Sequence, residues 1–237
     1  MGAIHLILGR TWQERESWVN HFPVETDGLG RERVLRLRPT HRAVSNAGYR
    51  SGQRGHFSPI DAVLNDYLAK IAIRLHPTKT LLSPDGLVFR MAEHSKNAAI
   101  PQELREHYTE HQLGTLFGSL FDLQEEALTA NALLPTWLSD LFSQYRNTCF
   151  SDEDFAPLST LIRHAADSGA LADPCVQDLV FGQPNIWLDD VTGLSKARTK
   201  LLLRLIQTWT EGGCKVFLSI PAPRVIEHGD LLDFFTQ

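Results

Sequence analysis

Residues Gly9 to Ser17 have the frame of a phosphate-binding loop without its phosphate-binding residues. An apolar stretch, Ile4 to Leu8, runs directly into Gly9, and a helical pattern follows. In the pattern G-x-x-x-x-G-K-[ST], the second glycine, the lysine and the hydroxyl bind phosphate groups and magnesium. Glu14, Arg15 and Glu16 stand at those three positions here. The pattern therefore predicts a degenerate nucleotide-binding loop that comprises Gly9, Glu14, Arg15, Glu16 and Ser17.

A second acidic motif belongs to the same predicted site. The apolar stretch Asn185 to Leu188 ends in Asp189 and Asp190. In nucleoside triphosphatases the first acid of such a pair binds magnesium and the second orients the attacking water. We expect these acids to face Glu14 and Glu16, so a magnesium-nucleotide site is disfavoured. No catalytic residue and no cofactor is predicted.

A zinc site is a rival interpretation of another segment. His107, Glu110 and His111 fit the pattern H-x-x-E-H, in which two histidines one helical turn apart hold zinc and the glutamate acts as base. The polar flanking residues argue against a catalytic zinc helix, and only Glu125 or Glu126 offers a further ligand. The three widely spaced cysteines predict neither a disulfide framework nor a zinc site. We regard a zinc metalloprotease as the less favoured alternative and predict no metal.

The order of predicted strands and helices around these residues indicates an α/β fold. A strand, a helix and a second strand at Val34 to Arg38 are the opening of a parallel sheet, and the strand signal returns at residues 185–190 and 212–220. Apolar spacing from Ile60 predicts an amphipathic helix, and residues 101–178 read as wholly helical, with a capped helix start at Ser151 to Asp154. We predict a parallel sheet with helices on both faces, formed by residues 1–100 and 179–237. Residues 101–178 form an all-helical insert.

Composition and charge constrain partners and location. No stretch approaches the roughly 20 apolar residues that span a bilayer, so we expect a cytoplasmic protein without membrane contact. Residues 1–60 carry nine basic against five acidic side chains, whereas residues 121–180 carry two against ten. Arginine pairs well with phosphate, so the first segment favours nucleic acid. The acidic segment would repel DNA and is the expected protein contact.

The order of these segments resembles the N-terminal helicase-like region of AddB-type helicase-nuclease subunits. This region is similar to an inactivated superfamily I helicase of the UvrD-like kind, and the proteins that contain it are PD-(D/E)XK nuclease family proteins. The resemblance lies in the order of segments and has no diagnostic signature. It rests on Ile4 to Ser17, Val34 to Val44, Phe57-Ser58, Leu81 to Ser83, Ile186 to Asp190, Pro221 and Asp230 to Phe235.

The resemblance implies a P-loop NTPase-like fold with a helical insert and a role in bacterial double-strand-break repair and recombination. It also implies that Pro39, Thr40, His41, Arg42, Phe57 and Ser58 contact single-stranded or broken-end DNA, and that a helicase or nuclease subunit is the protein partner. No nuclease motif is found in the chain, so we expect an inactive DNA-binding or scaffolding domain. Two alternatives stay open: a nucleotide-binding module without hydrolysis, and an ordinary capped turn at Pro39 to Arg42.

Overall fold

A five-stranded parallel sheet forms one part of the protein. The computed structural model describes residues 2–21, 33–45, 60–128, 134–168 and 170–221. The strands are β1 (Ile4–Gly9), β2 (Val34–Arg38), β3 (Ile60–Val63), β6 (Asn185–Asp189) and β7 (Lys215–Pro221), and their spatial order is β1-β7-β6-β2-β3. Every pair of neighbours is parallel. The predicted α/β class with a parallel sheet flanked by helices is therefore confirmed.

The other elements are mainly helices, with one small additional sheet. The helices are α1 (Trp12–Asn20), α2 (Leu64–Arg74), α3 (Pro84–Asn97), α4 (Gln102–His107), α5 (Glu110–Ala127), α6 (Thr136–Ser151), α7 (Leu158–Ser168), α8 (Pro174–Val180) and α9 (Lys196–Glu211). Two short strands, β4 (Thr80–Leu81) and β5 (Phe155–Ala156), pair in parallel. Residues 41–45 are also helical. None of the helices in the described ranges has the length and apolar character needed to cross a bilayer.

Contacts divide the chain into two compact units. The sheet unit comprises residues 1–68, 171–194 and 202–237, and the helical unit comprises residues 69–170 and 195–201. The division at residues 100 and 178 that the sequence suggests remains a prediction.

The two central strands β2 and β6 are buried along their whole length. All five residues of each strand are buried, as expected where a parallel sheet is covered on both faces. In β2 this burial includes Arg36 and Arg38, which need partners because an unpaired buried charge is costly. Trp187 of β6 lies in register with Arg36. The centre of the sheet therefore contains charged side chains whose partners decide the chemistry of this region.

The core of the helical unit is aromatic. Phe121, Phe142 and Tyr145 are fully buried, and the ring of Phe121 meets the other two edge-on at centroid distances of 5.4 and 5.1 Å. Edge-to-face contacts of this kind stabilise a core beyond the area that they bury. Trp137 lies edge-on to Phe117 at 5.8 Å. These aromatic residues on α5 and α6 pack against one another, as their helical spacing predicts.

Three local predictions were wrong. Residues 60–63 form a strand, because they pair with β2 from Leu35 to Arg38, and the helix begins only at Leu64. Residues 155–156 are extended rather than helical, because they pair with β4. Ser151 ends α6 instead of capping the next helix, and its hydroxyl donates back to the carbonyl of Asn147 at 2.9 Å. In the first two cases a strand partner distant in sequence outweighs local periodicity.

Candidate functional site: a buried ion pair at the predicted loop

The predicted loop and the predicted acids meet at one edge of the sheet. Parallel strands end at the same edge, so the loop after β1 and the acids at the end of β6 lie on the same side. One strand, β7, separates β1 from β6, and β2 lies on the other side of β6. This arrangement brings Arg15, Arg38 and Asp189 together, although 23 residues separate the first two in sequence and 151 separate the last two.

The turn between β1 and α1 is too short to form an open phosphate cradle. The strand ends at Gly9 and the helix begins at Trp12, so only Arg10 and Thr11 lie between them. The Thr11 hydroxyl caps the helix by accepting the backbone N–H of Glu14 at 3.2 Å. A phosphate loop keeps several backbone N–H groups free for its ligand. Here the helix starts three residues after the first glycine, so its first turn occupies the positions that would form the phosphate loop.

A carboxylate of the chain accepts a backbone donor of this loop. Glu14 Oε2 accepts the backbone N–H of Arg10 at 2.8 Å. Glu14 stands where the pattern has its second glycine, and its negative charge lies where a phosphate loop would offer N–H groups to an anion. The carboxylate therefore acts as an internal anion at this turn.

Arg15, at the position of the phosphate-binding lysine, pairs with the magnesium-type acid. Its Nε donates to Asp189 Oδ1 at 3.2 Å, and its Nη1 donates to the carbonyl of Gly9 at 3.4 Å. The side chains of Arg15 and Asp189 are only 6% and 7% exposed. Removal of one partner from such a buried pair leaves the other charge without compensation. The ion pair therefore closes the position that a magnesium ion would need.

Asp189 has two further partners on neighbouring strands. Arg38 Nη1 of β2 donates to Asp189 Oδ2 at 3.3 Å, and Ser219 Oγ of β7 donates to Asp189 Oδ1 at 2.7 Å. Trp187 Nε1 donates to Ser219 Oγ at 2.8 Å, which orients the hydroxyl. The carboxylate is thus held by a helix and two strands.

The arginines of β2 stack on a tryptophan of β6. The guanidinium carbons of Arg36 and Arg38 lie 4.9 and 5.3 Å from the centre of the Trp187 ring, within the range of a cation–π interaction. Arg36 Nη1 also donates to Glu16 Oε1 at 3.1 Å. Between the predicted loop and Asp189, the contact is made by Arg15, whereas Glu16 pairs with Arg36.

Gly9 is required by the packing of this turn. A Cβ atom at Gly9 would lie 2.8 Å from the Arg15 Cγ atom and 3.4 Å from the Glu14 Cγ atom. The absence of a side chain at Gly9 therefore makes room for the two side chains that close the site. In a phosphate loop, glycine lets the backbone approach a ligand closely. In this turn, Gly9 lets the side chains of Arg15 and Glu14 approach the backbone closely.

The remaining residues of the predicted nucleotide site are peripheral. Asp190 has a left-handed backbone conformation, with φ of 53°, and its N–H donates to the carbonyl of Ser219 at 2.9 Å. Ser17 is exposed on α1.

The predicted DNA-contact segment lies at the same edge of the sheet, after β2. Thr40 Oγ1 accepts the backbone N–H of Ala43 at 3.2 Å, so it caps the helical residues 41–45. His41 Nε2 lies 3.3 Å from Asp66 Oδ2, and Arg42 is exposed. Pro39 is half-buried at the end of the strand. Phe57 and Ser58 lie outside the described residues.

The residues of the H-x-x-E-H pattern do not share one helix. His107 is the last residue of α4, whereas Glu110 is the first residue of α5. Glu125 and Glu126, the acids considered as a further ligand, bind arginines instead. Among the described residues, no group of three potential ligands could hold a metal ion. The helical spacing on which the zinc interpretation depends is therefore not formed.

Sequence reasoning missed four participants in the closed site. Arg36 and Arg38 were noted only as part of a basic segment, and Trp187 and Ser219 only as strand residues. The signal for the arginines was present, because charges two residues apart in an apolar strand share one face. Buried charges of this kind need counterions, and the two arginines find different ones in Glu16 and Asp189. The contribution of Ser219 depends on strand order, which periodicity does not give.

No protein-family model matches the chain, and no curated protein sequence matches it.

The ion pairs predict unequal costs for a buried and an exposed carboxylate. Asp189→Asn removes the charge that compensates two buried arginines, so we expect it to lower the free energy of unfolding by about 3 kcal/mol or more. The control Asp140→Asn should change it by less than about 1 kcal/mol, because Asp140 is exposed on α6. Urea denaturation of both variants measures the difference. Equal costs would contradict the assigned role of Asp189.

Proposed function

We propose that this chain is a catalytically inactive, helicase-like domain with a P-loop NTPase-like fold, which contributes DNA contact or scaffolding to a DNA-repair helicase-nuclease. The observation that carries the proposal is the buried ion pair between Arg15 and Asp189, which joins the loop position to the acid position. In a working nucleoside triphosphatase these two positions hold phosphate and magnesium.

The strand order supports the P-loop NTPase-like part of the proposal. The loop after β1 and the acid that ends β6 lie at the carboxyl edge of one parallel sheet, where ligands of open α/β sheets bind. Asp189 reaches the first helix through Arg15, so the two motif positions are close enough to share one ligand. The spatial relation of a nucleotide site is kept while its chemistry is replaced.

The charges at the site support the loss of nucleotide binding. Glu14 already accepts the backbone N–H of Arg10, and a second anion at this turn would be repelled. Asp189 is paired with Arg15 and Arg38, so a magnesium ion would have to displace buried guanidinium groups. Both effects act against a magnesium-bound triphosphate.

The exposed turn after β2 supports DNA contact. Thr40 and Arg42 are exposed at the carboxyl edge of the sheet. A hydroxyl and a guanidinium are common phosphate ligands. His41 lies near the carboxylate of Asp66, which leaves Arg42 as the principal cation of the described part of this turn. The proposal therefore assigns backbone contact to Arg42.

The first strand supports a scaffolding role. Ile4, Leu6 and Leu8 alternate along β1 and are 48%, 47% and 44% exposed. Within the described part of the chain, β1 pairs with β7 and no other strand. Edge strands with exposed apolar side chains are sites at which another strand can add to a sheet. The proposal expects a helicase or nuclease subunit to contact this strand in addition to the acidic segment of residues 121–180.

The proposal predicts no magnesium-dependent nucleotide binding. We expect titration of the full chain with a fluorescent ATP analogue to give no saturable signal at micromolar concentrations, with or without Mg²⁺, because internal charges close the site. Arg15→Ala serves as the comparison variant. Saturable Mg²⁺-dependent binding to the wild type that Arg15→Ala abolishes would overturn the proposal and would favour a module that binds nucleotide without hydrolysis.

The DNA-contact assignment predicts a difference between two exposed arginines of the same strand region. Arg42 follows β2 and Arg33 precedes it, so they lie at opposite edges of the sheet. We expect Arg42→Ala to weaken binding to labelled single-stranded DNA and to reduce the salt slope by about 1, since one phosphate contact is lost. Arg33→Ala is the control and should leave both unchanged.

Fluorescence anisotropy at several salt concentrations measures both quantities. Absence of salt-dependent DNA binding, or equal effects of the two substitutions, would contradict the assigned contact. The nucleotide titration is unaffected by this result, so the two parts of the proposal fail separately.

A further inference from the structure

A cavity in the helical unit contains both basic residues of the acidic segment. The cavity has a volume of about 480 Å³ and opens between α5, α6 and α7. Its polar lining includes Arg146, Asn147, Ser151, Thr160, Arg163 and His164. Residues 121–180 carry ten acidic and only two basic side chains, which are Arg146 and Arg163. The two cations of this segment therefore converge on one place instead of being spread over its surface.

One buried carboxylate holds both arginines. Glu125 Oε1 accepts Arg146 Nε at 3.0 Å, Arg146 Nη2 at 2.6 Å and Arg163 Nη1 at 3.1 Å. Glu125 is fully buried, and the two arginine side chains are 22% and 21% exposed. Because one negative charge compensates two positive charges, this group carries a net charge of +1. The contacts also fix the orientation of the guanidinium groups before any ligand arrives.

The lining also has donor capacity that the described chain does not use. Thr160 is 1% exposed, and its hydroxyl, like the Oε2 acceptor of Glu125, has no hydrogen-bond partner among the described residues. Arg146 and Arg163 donate to a single carboxylate oxygen, although each guanidinium has five N–H groups. A buried polar group without a partner is costly, so a ligand that accepts these donors gains affinity.

The other charges that line the cavity do not cancel this surplus. Asp167 lies on the cavity lining but pairs with Lys200 at 2.5 Å. His164 stacks on Phe150 at a centroid distance of 4.6 Å and lies 3.2 Å from His76. Burial, followed by the proximity of His164 and Lys79, lowers the pKa of His76 to about 4. The lining thus combines a stacked aromatic wall with a net positive group.

We propose that this cavity binds a small phosphorylated compound, with Arg146 and Arg163 as the phosphate ligands and the Thr160 hydroxyl as a further donor. Guanidinium groups that a carboxylate holds in place suit a tetrahedral oxyanion, because their N–H groups donate in fixed directions. The bound anion would compensate the net charge that Glu125 leaves. This binding site is separate from the nucleotide and DNA residues considered above, all of which belong to the sheet unit.

Isothermal titration calorimetry of the full chain with inorganic phosphate tests the proposal. We expect saturable binding that Arg163→Gln weakens by about tenfold or more, since a charge-assisted hydrogen bond is lost. Thr160→Val should weaken binding about threefold without lowering the Tm, because the buried hydroxyl that it removes has no partner in the described chain. This second variant keeps the ion pairs and therefore tests the site without disturbing the fold.

Lys96→Gln is the control, because Lys96 lies on α3, pairs with Glu93 at 2.9 Å and does not line the cavity. It should bind phosphate as the wild type does. Absence of saturable phosphate binding, or equal weakening by Lys96→Gln and Thr160→Val, would overturn the proposal. Single-stranded DNA whose binding depends on Arg163 in the absence of phosphate binding would also overturn it and would assign the cavity to the DNA backbone.

Discussion

The sheet unit depends on compensation of the buried Asp189 carboxylate. Three side chains donate hydrogen bonds to this acid: Arg15 from the first helix, Arg38 from β2 and Ser219 from β7. Burial of an arginine or a carboxylate without a partner has a large desolvation cost. The contacts among the two arginines and the carboxylate offset much of that cost. The position of the β1–α1 turn therefore follows from the same contact that closes the site. Gly9 matters because it permits this approach.

The same structural position can serve a ligand or the chain itself. A phosphate loop leaves backbone donors and an acid open for a magnesium-bound anion, and the ligand then completes the charge balance. Here Glu14 supplies the anion and Arg15 supplies the cation. The helical unit uses related chemistry, because Glu125 holds two arginines, but there a cavity adjoins them. At a structural position the charges are paired within the chain. At a binding position they also face a cavity.

Sequence patterns predicted part of this arrangement. The parallel sheet and most helices follow from strong periodicity, and the absence of Gly, Lys and Thr from the loop pattern predicted a loop without phosphate-binding residues. The contact between Arg15 and Asp189 did not follow, since it depends on strand order and on a helix that begins at Trp12. The strand at Ile60 to Val63 was missed because its partner in β2 is 25 residues earlier. Local residue patterns carry no information on such pairings.

A double-mutant cycle between Arg15 and Asp189 tests the central claim most directly. Arg15→Met, Asp189→Asn and the combined variant are compared with the wild type by urea denaturation. If the two side chains form the buried pair that closes the site, the cycle should give a coupling free energy of about 1 kcal/mol or more. Additive effects, with a coupling free energy near zero, would contradict the account.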